Sequence, residues 1–190
     1  MKFNGKLILF TIVLIVIATA CKYFFGPDLD WSGFSPIIAI ALFSGFIIKK
    51  KDMSFILPLL ALFASDLIID VLYTQGLFEY SGFYSGQWVN YLILLSATLI
   101  GWMLKGKSYQ RLFASAVIAP TVYFFLSNIS VWLGGTHTMY SKDLDGLISA
   151  ITAGLPFYKN ALLGTLVFLP VILLSYNMIT KSKPVMKFEN

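Results

Sequence analysis

Residues 55–73 read FILPLLALFASDLIIDVLY. A helix needs roughly 20 apolar residues to cross the hydrocarbon of a bilayer, with a range of about 17–25. This stretch has that length, and its only charged side chains are Asp66 and Asp70. Two carboxylates inside an apolar run are costly wherever water is excluded. Whether the run is a membrane span or the core of a soluble domain therefore decides the fold, and the rest of the chain answers it.

Of the 190 residues, 58% are hydrophobic and 12% charged. Soluble domains have about 45–50% apolar and about 25% charged residues. One globular core cannot hide that excess, so the chain needs lipid as a solvent. One Cys and one His exclude a disulfide framework and a multi-ligand zinc site, so no metal and no cofactor is expected.

Apolar segments cover about 6–23, 36–48, 55–73, 88–104, 112–133 and 157–179. The second is short. It opens on Ser35-Pro36, which suits a helix start with Ser35 as cap and Pro36 in the first turn. The stretch at about 147–156 is apolar but leads through Gly154 to Pro156, and is expected to lie at the outer boundary. Cytoplasmic loops carry an excess of Lys and Arg. With the N-terminus inside, the inner segments hold Lys2, Lys6, Lys49, Lys50, Lys51, Lys105, Lys107, Arg111, Lys181, Lys183 and Lys187. Lys22, Lys142 and Lys159 fall outside, among Asp28, Asp30, Glu79, Asp143 and Asp145. The expected fold is an all-α integral membrane bundle of six transmembrane helices, a single domain with both termini cytoplasmic. The net charge of +5 is then a topology signal, and no nucleic-acid partner is expected. The end of the first span, IATAC, also resembles a lipid-modification site at Cys21. Cleavage there would leave five spans. Ala18 stands where such sites favour Leu, and an odd count would put the C-terminal lysines outside.

Depth follows from the helical rise. Asp66 lies fourteen residues past Asp52, about 21 Å from the inner side. Asp70, one turn further out, shares its face. Asn128 lies seventeen residues past Arg111, about 25 Å from the inside, with Trp132 on the same face. Trp88, Asn90 and Tyr91 begin the fourth helix, and Asn160 lies in the first turn of the sixth. An Asp at a helix centre costs roughly 2.5–3.5 kcal/mol on insertion scales, so it faces the bundle interior or a wet cavity and has a partner. Lys22 and Lys159 are the basic groups near the outer helix ends and the candidate partners. Each polar residue also has a plainer role: solvation for Asp70 and for His137 in its Gly-rich loop, interhelical bonding for Asn128, an aromatic belt for Trp88 and Trp132, capping for Asn160. Their coincidence at one depth favours an outward-opening pocket, with Asp66, Asp70, Asn90, Asn128, Trp132 and Asn160 as candidate ligand-binding residues.

The chain has no G-x-x-x-x-G-K-[ST], H-E-x-x-H or G-x-S-x-G motif. An aspartyl dyad needs carboxylates on different elements, whereas Asp66 and Asp70 share one, and no enzyme is expected. Ala39, Ala41, Ser44 and Gly45 form a small-residue face on the second helix, suited to packing within the bundle or to a partner subunit.

The stretches FSPIIAIALFSG (34–45), PLLALFASDL (58–67), LSNISVWLGG (126–135) and GLISAITAGLPFYKNALLG (146–164) resemble an uncharacterised group of small bacterial membrane proteins. That group is related to the substrate-binding S components of energy-coupling-factor transporters. The likeness is most specific at Ser65-Asp66, at Ser127-Asn128 with Trp132, and at Pro156-Phe157 with Asn160 and Gly164. Thr165 stands where the family usually has Asp, and Lys22 stands in for an Arg. The resemblance implies an S-component-like bundle in the bacterial inner membrane that captures a small water-soluble, vitamin-like nutrient from outside. A transmembrane coupling protein with two ATPases would be its partner, facing the small residues of the second helix. The alternatives are an assembly subunit without a ligand and a solitary ion-coupled carrier.

Overall fold

The computed structural model describes residues 5–48, 51–104, 108–134 and 139–180. Among the described residues there are six helices and no strand: α1 Gly5–Phe25, α2 Ile37–Ile47, α3 Lys51–Thr74, α4 Trp88–Met103, α5 Tyr109–Gly134 and α6 Leu144–Thr180. Four contain stretches long and apolar enough to cross a membrane, Ile8–Phe25, Asp52–Thr74, Gln110–Gly134 and Leu144–Thr180. Their outward side chains are apolar, as lipid requires: Leu9, Val16, Val71, Ile118 and Leu174 are all exposed. These are the marks of a membrane protein. The other two helices, with 11 and 16 residues, reach only about 17 Å and 24 Å.

α2 does not need to face lipid, because protein surrounds it. Every residue from Ile37 to Phe46 is buried, and α4, α3 and α6 pack around it. Close approach to α4 is what its small residues provide. A Cβ on Gly45 would fall 2.0 Å from the Thr98 carbonyl oxygen, and one on Gly101 2.2 Å from that of Leu42. The two backbones touch, and only glycine fits at the crossing. Ser44 has a different task. Pro58 in α3 has no N–H to offer the Ser54 carbonyl one turn back, and the Ser44 hydroxyl donates to that carbonyl at 2.6 Å.

The bundle has a solid half and a hollow half. Phe10, Leu14, Ile40, Phe43, Leu94, Leu112 and Leu169 fill the end near the starts of α1, α3 and α5. The opposite end, where α1, α3 and α5 finish, carries the long connections.

The break expected at Gly154 and Pro156 does not interrupt α6, which is continuous for 37 residues, about 55 Å. Pro156 and Pro170 each remove one backbone bond, and neighbouring turns carry the helix past them. The helix start at Ser35-Pro36 also moves by one residue: Pro36 is the cap position, and the Ile37 N–H points at the Ser35 hydroxyl from 3.4 Å.

Candidate functional site

A cavity of about 520 Å³ opens in the hollow half. All six helices contribute to its wall: Lys22 from α1, Ile37 and Ile38 from α2, Leu62 from α3, Asn90 from α4, Tyr123 and Asn128 from α5, and Tyr158 and Ala161 from α6. The connection between α1 and α2 closes one side with Ser32, Gly33 and Ser35, and Tyr84 closes another.

Two connections are held down by specific chemistry. In the first, Gly33 has φ +92°, and a Cβ there would fall 3.0 Å from the Phe157 carbonyl oxygen. Asn160 Nδ2 donates to the Asp30 and Ser32 carbonyls at 2.8 and 2.9 Å, and Gly164 lies against Ser35. One face of α6 thus grips the segment that opens α2. In the second, residues 75–87 lie across α3. A Cβ on Gly82 would fall 1.9 Å from the Asp66 carbonyl oxygen, and Ser81 donates its hydroxyl to Asp70 Oδ1 at 2.7 Å. Gln87 clamps the strap: Nε2 donates to Gly82 O at 3.1 Å and to Asp66 Oδ2 at 2.7 Å, while Oε1 accepts from the Tyr84 N–H at 3.1 Å.

Asp66 is the hub behind the wall. It is 5% exposed and accepts from Lys22 Nζ, from Gln87 and from the Tyr91 hydroxyl. Three donors, one of them a cation, offset the desolvation of a buried carboxylate. Lys22, with a side chain 23% exposed, stands between this hub and the cavity. Tyr84 accepts from Asn90 Nδ2, and burial pushes its phenol above its ordinary value, so it stays a hydroxyl. Among the described residues no three His, Cys, Asp or Glu side chains come together as a metal-ligand set.

A family profile matches residues 2–186, nearly the whole chain. The chain belongs to DUF6580. DUF6580 is a family of unknown function. No curated protein and no solved structure matches the chain.

In this DUF6580 member the expected polar layer separates into three groups. Asn90 and Asn128 line the cavity. Asn128 gives Nδ2 to the Phe124 carbonyl of its own helix at 2.8 Å and rests against Gly154, where a Cβ would fall 2.4 Å from its Oδ1. Asp66 and Asp70 sit behind the wall, the one in the hub and the other tied to the strap. Asn160 and Trp132 are structural ties. Asn160, 1% exposed, holds two loop carbonyls, and Trp132 Nε1 donates to the Ser141 carbonyl at 2.9 Å, away from the cavity. Of the two candidate partners Lys22 pairs with Asp66, while Lys159 is exposed on α6. Ala39, Ala41, Ser44 and Gly45 are buried inside the bundle and present no face to another subunit. His137 lies outside the described residues. Gln87, Tyr84 and Tyr123 went unforeseen. The first two lie in a polar connection with no periodicity, and Tyr123 reads as one more aromatic of an apolar helix.

Proposed function

We propose that this DUF6580 protein binds a small water-soluble molecule in the central cavity and serves its uptake across a bacterial inner membrane, in the manner of an S component. The reading includes the finer topology: six crossings, with α2 and α4 crossing as short helices sheathed by their neighbours, both termini on the lysine-rich cytoplasmic side, and the cavity opening outward. The observation that carries it is the hollow of about 520 Å³ walled by every helix at one end of the bundle, within the roughly 300–1,000 Å³ of small-molecule sites. Pinned connections leave that hollow preformed, which lowers the ordering cost of binding. Coupling to a transmembrane subunit and two ATPases belongs to the same proposal, with the docking face elsewhere than the small residues of α2.

Native mass spectrometry of protein taken directly from its membrane tests this. A small molecule is expected to stay with the wild-type chain and to be lost from Ala161→Phe, which fills the cavity while the thermal unfolding midpoint holds. A retained mass indifferent to Ala161→Phe would count against the cavity. Release of only lipid from both proteins would remove the uptake reading.

A further inference from the structure

The electrostatics of the cavity wall restrict what it accepts, given the ligand-binding reading above. Among the described residues Lys22 is the single charged side chain lining it. Its charge is already matched by Asp66, which is buried, satisfied by three donors and absent from the lining. The wall is therefore neutral overall. A ligand carboxylate at Lys22 would leave one negative charge unbalanced in a poorly solvated site, and a ligand amine would face Lys22 with no carboxylate in reach; unpaired charge in such surroundings is strongly disfavoured.

Hydrogen-bonding capacity is nonetheless left over. An ammonium has three N–H donors, and Asp66 takes one from Lys22. Asn90 and Asn128 each spend an N–H on Tyr84 and Phe124, which leaves both amide oxygens open as acceptors. The Tyr123 hydroxyl has no partner among the described residues and lies at the cavity. Flat apolar surface completes the wall, with the rings of Phe124 and Tyr158 4.8 Å apart at 34° and Phe157 nearby.

We propose that the cavity selects an uncharged ring compound with an amide-like edge, its acceptor on Lys22 and its donor on an asparagine oxygen, over carboxylates and amines of the same shape. The ion pair sets this selectivity. Removing either partner charges the wall and changes the preferred ligand.

Three fluorescent probes of one shape test it: 2-naphthamide, 2-naphthoate and 2-naphthylmethylamine, titrated into the full chain in nanodiscs with empty nanodiscs as blank. The wild type is expected to bind the amide about tenfold or more tighter than either ion, and Ala161→Phe to abolish this binding. Asp66→Asn, which leaves Lys22 uncompensated, shifts preference to the naphthoate. Lys22→Ala, which leaves Asp66 uncompensated and opens the space between it and the cavity, shifts it to the amine and serves if the first variant misfolds. Wild-type preference for an ion, or variants that keep the wild-type order, overturns neutral selection and leaves a ligand site standing. Absence of saturable binding of all three, or binding that Ala161→Phe spares, removes the site itself.

Discussion

Replacing Gly45 with Ala tests the crossing on which the bundle is built. The new Cβ would sit 2.0 Å from the Thr98 carbonyl oxygen and 2.8 Å from the Trp102 nitrogen. Real Cβ atoms essentially never approach within 3.0 Å, so α4 must retreat by about 1 Å. Both obstructing atoms are backbone, so no side-chain rotation relieves the clash. Retreat also loosens Leu94 and Ala97, which are fully buried. Overpacking costs about 1–3 kcal/mol, while the better helix propensity of Ala returns up to about 1 kcal/mol. Because the obstruction is rigid, the upper part of that range applies, for a net loss of about 2 kcal/mol. The assay is reversible unfolding in bicelles, with Gly134→Ala as the control, since a Cβ there meets nothing within 4 Å. If Gly45→Ala unfolds with the wild type and the control, the α2–α4 contact is wrong. If it keeps full stability but loses a copurifying subunit, Gly45 faces a partner after all.

Three further outcomes follow from the pinned connections and the hub. Asp66→Leu alone is expected to cost about 3 kcal/mol by leaving Lys22 without its counter-charge, whereas Asp66→Leu with Lys22→Met costs less than the sum of the singles in a double-mutant cycle; simple additivity would dissolve the pair. Asn160→Ala releases two carbonyls at about 1 kcal/mol each, and limited proteolysis should cut residues 26–36 faster; an unchanged rate would show that α6 does not hold this segment. The third is a pH effect. The Ser141 hydroxyl first, then the Gly146 N–H, hold the Asp143 carboxyl below its ordinary value. The folded form therefore favours the carboxylate. Its contribution is complete above the ordinary carboxylate range and is lost as pH falls through the lowered value. The hydrogen-exchange protection of Gly146 and Leu147, relative to the intrinsic rate at each pH, is expected to fall there in the wild type, and Asp143→Asn should flatten the dependence; an acid response unchanged in the variant would assign it to another group.

Much of the scaffold can be read from residue order because apolar length is a strong signal. Five of the six apolar segments match helices to within a few residues, while α6 begins thirteen residues before the expected start at 157, and the depth arithmetic puts Asp66, Asn90, Asn128 and Asn160 at one end. What sequence periodicity does not contain is where the loops return. Asn160 has the depth of a ligand contact, but the chain from Gly26 to Ser35 folds back onto it and takes its amide. Trp132 is taken in the same way by Ser141. Asp66 announces itself as a costly carboxylate, yet two of its three partners, Gln87 and Lys22, come from a connection and from another helix end. Continuity through Pro156 was equally hidden, since a proline removes one N–H without saying whether adjacent turns carry the helix across.

The length of α6 bears on how a solute reaches the hollow. Even leaning at 40°, the steep end of what membrane helices adopt, a rod of about 55 Å projects roughly 42 Å along the normal, against about 30 Å of hydrocarbon. The surplus has to emerge. Under the proposed topology, with the turns from Pro156 to Thr180 in the oily layer, the stretch from Leu144 to Gly154 would stand clear of it like a parapet. Gly154, part of the chamber wall, is carried on that raised stretch. An arriving solute would then meet peptide before phospholipid, at a threshold above the headgroups.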